Sequence, residues 1–255
     1  MSAGDVYESA RMAAGYAFSR PPVHPRIIER IRAQLPVGSP VARALDIGCG
    51  AGRSAAALAP IARHIVGLEP VRGMLAHWRA VAPGASFVVA RAEHLPFAPG
   101  SFDIVTAAGA LNYVDLDLFL PDLARVLAAD GLMVIYDFSA GRRLSGSLAL
   151  EAWYEAFERR YPPRPGYDMD VRTLAYGRAG LRLDAFEPFE VAVPIARPAY
   201  VAYAMSETGV ELAIARGEPE ADIRNWCEAT LAGVLGDEPR DVLFDAYVAY
   251  VRRGR

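Results

Sequence analysis

Apolar residues along the chain follow two alternating rhythms. Short aliphatic and β-branched runs near 43–47, 64–68, 85–90, 102–106 and 131–137 are too brief for helices and read as buried strands. Between them apolar residues recur at helical spacing. Pro25 opens a helix with Ile27, Ile28, Ile31 and Leu35 on one face, and residues 36–40 make a connector. A helix is predicted over about 53–61, and another from Pro70 that turns Met74, Leu75 and Trp78 inward. A helix near 116–129 is expected to stop ahead of Gly131, because glycine commonly closes a helix C-terminus. Strands alternating with helices predict a parallel sheet covered on both faces. Right-handed crossovers then bring the loops after the strands to one edge.

After Asp137 the rhythm changes. Residues 144–160 read as a helix carrying Trp153, Tyr154 and Phe157, broken by Pro162, Pro163 and Pro165. A short helix near 171–179 ends at Gly180, and a strand follows at 186–195. Residues 199–215 and 220–235 are predicted helical, with Tyr200, Tyr203, Met205 and Trp226 facing inward, before a last strand at 241–251. The whole, residues 1–255, reads as one domain, with a lead-in and helix over 1–40 and a binding core over 41–139.

The junction of the first strand and its helix carries the chemistry. Asp46-Ile47-Gly48-Cys49-Gly50-Ala51-Gly52 places three alternating glycines behind an acid, and Glu69 ends the next strand. A tight strand-to-helix turn uses φ > 0 and lets a ligand approach the backbone. A carboxylate at the second strand tip can accept hydrogen bonds from a ribose diol. Dinucleotide turns use G-x-G-x-x-G, with pyrophosphate on the helix N-terminus. Here the spacing is one residue shorter, and Asp46 would repel a pyrophosphate while suiting an ammonium group. Asp46, Glu69, Glu93 and Ala107 all fall at strand ends, on the edge where ligands bind in such sheets.

These residues resemble the class I S-adenosylmethionine-dependent methyltransferases. Ala92-Glu93-His94-Leu95-Pro96-Phe97 and Ser101-Phe102-Asp103-Ile104-Val105 look like the family's third and fourth strand motifs. Leu123-Ala124-Arg125-Val126-Leu127 with Asp130-Gly131 resembles its helix-to-strand junction, although Asp130 replaces the first glycine of the usual pair. Residues 16–25 resemble the lead-in of the small-molecule, UbiE-like and trans-aconitate-methyltransferase-like branch. The likeness covers about residues 10–140. It implies a Rossmann-like α/β fold of seven mostly parallel strands, the last antiparallel, with helices on both faces and a helical lid from 140–170 and 196–236. It implies S-adenosyl-L-methionine as cofactor. Asp46, Gly48, Cys49, Gly50, Gly52, Glu69, Pro70, Met74, Ala92, Glu93 and Ala107 would bind it, with Tyr16 and Arg20 folding over it. Catalytic residues are less legible, since transfer from a sulfonium needs alignment and desolvation more than covalent help. Tyr113, His24 and His94 are the candidates for an orienting hydroxyl or a base.

Composition narrows the partners. A formal net charge of −3 gives no electrostatic footprint for nucleic acid. After the fourth strand, residues 107–113 lack the acid-or-amide, Pro-Pro, aromatic pattern of nucleic-acid and protein amide methyltransferases, which points to a small-molecule acceptor. The chain contains no lysine, so lysine Schiff-base chemistry is excluded. The four histidines lack zinc-ligand spacing, and no metal is expected. Two distant cysteines suit a reducing compartment, and Asp5 and Glu8 interrupt any signal-like start. No apolar run is long enough to span a bilayer, so a cytoplasmic protein is expected. The competing expectations are a cofactor-binding protein without turnover and a nicotinamide-dependent oxidoreductase. The sequence does not fix the oligomeric state.

Overall fold

In the computed structural model, residues 6–33, 35, 40–163 and 169–254 are described. Asp5, Pro165 and residues 36–39 of the expected connector lie outside them. Five strands alternate with helices and pair in parallel: β1 (Val41–Ile47), β2 (Ala62–Leu68), β3 (Ala85–Val88), β4 (Phe102–Ala108) and β5 (Leu127–Phe138). Two-residue β6 (Arg143–Leu144) and long β7 (Leu181–Ile195) both pair antiparallel with β8 (Arg240–Arg253), which itself runs antiparallel to β5. The sheet order is β3-β2-β1-β4-β5-β8-β6, with β7 also on β8. The expected mostly parallel, Rossmann-like sheet with an antiparallel last strand is therefore present, with β6 as an addition.

Side chains on each strand alternate between the two faces. Ala44, Ile104, Val134 and Tyr136 pack with Ile27 and Ile31 of α2 (Val23–Arg32) and with the helices that follow β5 and β7. Leu45, Ile47, Val105 and Met133 pack on the other face against Phe119 and Leu123 of α5 (Leu116–Val126). Pro25 falls in the first turn of α2, where its missing N–H leaves no bond unmade.

Several boundaries differ from the sequence expectation, each for a physical reason. α1 (Ala10–Phe18), capped by Ser9 accepting from the Met12 N–H, occupies the expected lead-in. α3 (Arg53–Ala57) is shorter than 53–61, because Pro60 disfavours helical backbone at the residue before it. After Pro70 the chain forms a 3-10 turn (Arg72–His77) and only one turn of α-helix, α4 (Trp78–Val81). Gly73 inside that stretch weakens a continuous helix, yet Met74 and Leu75 are still buried. α5 does not run to Gly131. Leu127 already pairs with Phe102, and a register shift follows before Ile104 pairs with Leu132. Gly131 therefore sits inside β5, where a Cβ would meet the Leu127 side chain at 2.8 Å.

α6 (Ala149–Arg160) begins later than expected, and β7 earlier, after Gly180 closes a 3-10 turn with φ 67°. The stretch 199–215 is two helices, α7 (Arg197–Met205) and α8 (Thr208–Ala215), with an elbow at Ser206 and Glu207. α9 (Glu220–Leu231) follows. β7 and β8 pair from Leu181↔Arg253 to Ile195↔Arg240, whereas β8 meets β5 only as far as Phe138↔Ala246. The ribbon thus projects beyond the carboxyl end of β5, and α7–α9 are carried past the edge where the strands end. Among the described residues no helix is long and apolar enough to cross a membrane.

Candidate functional site

The chain turns out of β1 through three glycines in the left-handed region, Gly48 (φ 63°), Gly50 (φ 54°) and Gly52 (φ 93°). Other residues would be strained there, and a Cβ on Gly48 would lie 2.5 Å from that of Ala110. Glu69, at the tip of β2, reaches across to this loop. Its Oε2 accepts from the Gly50 N–H at 3.0 Å, and its Oε1 from the Val71 N–H at 3.0 Å. Burial pushes its pKa up, and the two N–H groups oppose that rise. Each carboxylate oxygen keeps acceptor capacity beyond these bonds.

Asp46 lies under the loop, fully buried. Its Oδ2 accepts from the Ser54 hydroxyl and its Oδ1 from Thr106 Oγ1 at 2.7 Å, stitching β1 to α3 and β4. Burial drives its pKa up to about 6 against those two hydroxyls. Cys49 is buried, its thiol held well above the ordinary range by burial, while its N–H donates to Leu68. Pro70 is exposed, and Met74 is buried below Gly50. Ala92 and Glu93 are both buried, and Glu93 Oε1 accepts from the Asp115 N–H at 3.2 Å. Burial works to raise the pKa of Glu93, but backbone N–H groups and Arg91 outweigh it and hold the group low. Ala107, enclosed in β4 between Ile47 and Ile135, precedes the turn at Gly109 (φ 58°).

The lead-in closes over these loops. α1 lies against the 3-10 turn after β2 and against α7. Arg20 donates to Glu207 Oε1 and to the Ser206 carbonyl, each at 2.9 Å, and stacks over the Tyr16 ring at 4.2 Å. Arg53, next to Gly52, donates to the Ala17 carbonyl at 3.1 Å. The Nε groups of Arg20 and Arg53 are buried with no hydrogen-bond partner among the described residues. His24 Nδ1 lies 3.0 Å from the Tyr136 hydroxyl. Burial, then the charges of Arg53 and Arg20, lower its pKa to about 3, so it is neutral. Tyr113 is largely exposed after β4, its hydroxyl 3.1 Å from that of Tyr7.

His94 does not join this group. Its loop is held by Asp122 and Arg125 through Leu95 and Phe97, which leaves His94 exposed to solvent. Sequence reasoning missed Ser54, Thr106 and Arg53, and also Asp137 at the tip of β5. Asp137 is half-buried beside Gly109, with its pKa raised by burial. A further acid at a strand end, after Asp46, Glu69 and Glu93, was the available signal for it. Among the described residues no three His, Cys, Asp or Glu side chains converge as metal ligands.

Residues 45–135, from mid-β1 into β5, match the family model described as a methyltransferase domain. The core around the glycine loop is thus similar to a methyltransferase domain. Demethylmenaquinone methyltransferase of Clavibacter sepedonicus is 41% identical over 112 residues, 42% of this chain and 45% of that protein. The chain thus spans about half the length of the curated relatives it matches. Among solved structures, a candidate type II methyltransferase from Anaeromyxobacter dehalogenans superposes with a TM-score of 0.63 at 21% identity, covering 89% of this chain and 95% of its own. Haemonchus contortus phosphoethanolamine N-methyltransferase 2, solved with S-adenosyl-L-methionine, superposes with a TM-score of 0.51 at 17% identity, over 90% of this chain and 53% of its own. Both share the fold of this chain.

Proposed function

We propose that this chain is an S-adenosyl-L-methionine-dependent methyltransferase acting on a small-molecule acceptor. The observation that carries the reading is the joint unit of Glu69 and the glycine loop. Glu69 takes the Gly50 N–H, the amide on which a phosphate would otherwise rest, so the loop suits a ribose diol and a sulfonium better than a pyrophosphate. The residues fit the cofactor elsewhere too. Arg20 and Arg53 each keep a buried N–H in need of an acceptor, which suits the methionine carboxylate. Ala92, Glu93, Pro70 and Met74 border the adenine side. When bound, the cofactor supplies an electrophilic methyl whose S–C bond breaks, with its electron pair, toward sulfur as the acceptor atom attacks.

The protein's part is to align and to exclude water. Tyr16, Arg20 and α1 form one cover, and the described residues of 140–170 with the segment 196–236 form the acceptor-side lid, the latter segment carried past the strand ends by the β7–β8 ribbon. Neutral His24 and Tyr113 line that side as orienting groups. Two buried free cysteines, Cys49 and Cys227, suit the cytoplasm, where the reading places the protein. The test is incubation with methyl-labelled cofactor and a panel of small acceptors. Label should pass to a small molecule, and tight binding of S-adenosylhomocysteine with no transfer to any acceptor would favour binding without turnover.

A further inference from the structure

A cavity of about 210 Å³ lies between α6, the β5–β6 loop and the α7–α8 elbow. Its walls include the rings of Tyr154, Phe157 and Tyr161, with Ala140, Arg142 and Glu207 between them. Resting on the methyl-transfer reading above, we propose that this cavity is the acceptor pocket. Its ligand is a compact, neutral aromatic molecule of one or two rings whose hydroxyl or amine donates to Glu207.

The position follows from a line of contacts. Glu207 Oε1 is 2.9 Å from Arg20 Nη1. Arg20 lies over the Tyr16 ring at 4.2 Å, three residues beyond Ala17, whose carbonyl accepts from Arg53 at 3.1 Å. Arg53 follows Gly52 directly. The cavity is therefore joined to the glycine loop through Glu207, the lead-in that carries Arg20 and Ala17, and Arg53 in turn.

The class follows from size, walls and charge. An apolar cavity of about 150 Å³ accepts benzene, so this volume has room for a second fused ring or a substituent. Ring walls favour offset and edge contacts with an aromatic guest, and Ala140 leaves the space that a larger side chain would fill. The three charged residues at the cavity, Arg142, Glu158 and Glu207, are already paired. Arg142 donates to Glu158 at 3.2 Å and lies over the Tyr154 ring, and Glu207 is paired with Arg20. A charged guest would bring an uncompensated charge into this balance. Glu207 Oε2 has no hydrogen-bond partner among the described residues, so the group it awaits is a donor.

The experiment is calorimetry on the full chain saturated with S-adenosylhomocysteine, titrated with 1-naphthol, 1-naphthylamine, naphthalene and 1-naphthoate. Naphthol or naphthylamine should bind at least tenfold more tightly than naphthalene and naphthoate, and whichever leads identifies the donor as O–H or N–H. Ala140→Leu, which fills the cavity, should weaken that binding at least tenfold while leaving S-adenosylhomocysteine affinity within twofold. Wild-type protein labelled at Tyr and Phe gives a check without substitution, as probe protons should show NOEs to the Tyr154 and Phe157 rings. Equal binding of all four probes, unchanged binding in Ala140→Leu, or NOEs from other residues would overturn the pocket. S-adenosylhomocysteine binding with no probe bound would overturn the pocket and leave the methyl-transfer reading standing. Probe binding at the cavity in a chain that does not bind S-adenosylhomocysteine would overturn that reading and, with it, the acceptor role of the cavity.

Discussion

Glu69 holds two backbone N–H groups at 3.0 Å and is only 7% exposed. Truncation would strand both donors, so Glu69→Ala should lower folding stability by about 1–3 kcal/mol in urea unfolding. It should also weaken S-adenosylhomocysteine binding by about 1.5–3 kcal/mol, the scale of hydrogen bonds to a charged group. Unchanged affinity would remove Glu69 from the ribose site. His24 and Asp46 make the stability pH-dependent in opposite directions. The pKa of His24 is depressed to about 3, so its contribution is present above the ordinary histidine range and is lost as pH falls toward 3. That of Asp46 is raised to about 6, so its contribution is present below the ordinary carboxylate range and is lost as pH rises through 6. The stability difference between wild type and His24→Gln should shrink on acidification from pH 7 to 4. The difference between wild type and Asp46→Asn should shrink from pH 4 to 8. Flat differences would mean neither group is held as described. Asp46, the glycines and Glu69 were legible in the sequence because their order and spacing are tied to one turn. Ser54 and Thr106 were not, since a lone hydroxyl in an apolar run has no spacing to read. His94 was included on residue type alone, and the anchoring of its loop turns it outward.

At the scale of elements, α1 decides whether the site is covered. Arg11 donates to Glu211 at 2.6 Å and to the Met205 carbonyl at 2.7 Å, and Arg20 makes the parallel pair with Glu207 and Ser206. Gly15 allows this approach, since a Cβ there would lie 2.9 Å from that of Ser206. Gly15→Val should cost about 1–3 kcal/mol by overpacking. It should speed amide exchange in α1 and at the elbow, and weaken S-adenosylhomocysteine binding. Exchange no faster than in wild type would show that α1 is not clamped there. α1 was not read from the sequence because its alanines and glycine give little apolar contrast, and its partners lie near residue 207. The α5–β5 junction was misjudged for a similar reason: pairing with Phe102, a contact distant in sequence, draws Leu127 into strand ahead of Gly131. Strands with a compact apolar run, β1, β2 and β4, were placed within a few residues.

For the molecule as a whole, the sheet brings the glycine loop, the Glu69 tip and the turn after β4 to one edge, and the β7–β8 ribbon raises α7–α9 beyond it. Ligand binding should therefore protect more than the loop. With S-adenosylhomocysteine bound, amide protection should spread from residues 48–52 into α1 and α7. Protection confined to the loop and the Glu69 tip would reduce the helical segments to a patch on the sheet. The most direct test of the central claim is titration calorimetry of the full chain with S-adenosylhomocysteine and, separately, with NAD. One saturable site for S-adenosylhomocysteine and no binding of NAD is the expected result. No site for S-adenosylhomocysteine, or NAD bound as tightly, would contradict it.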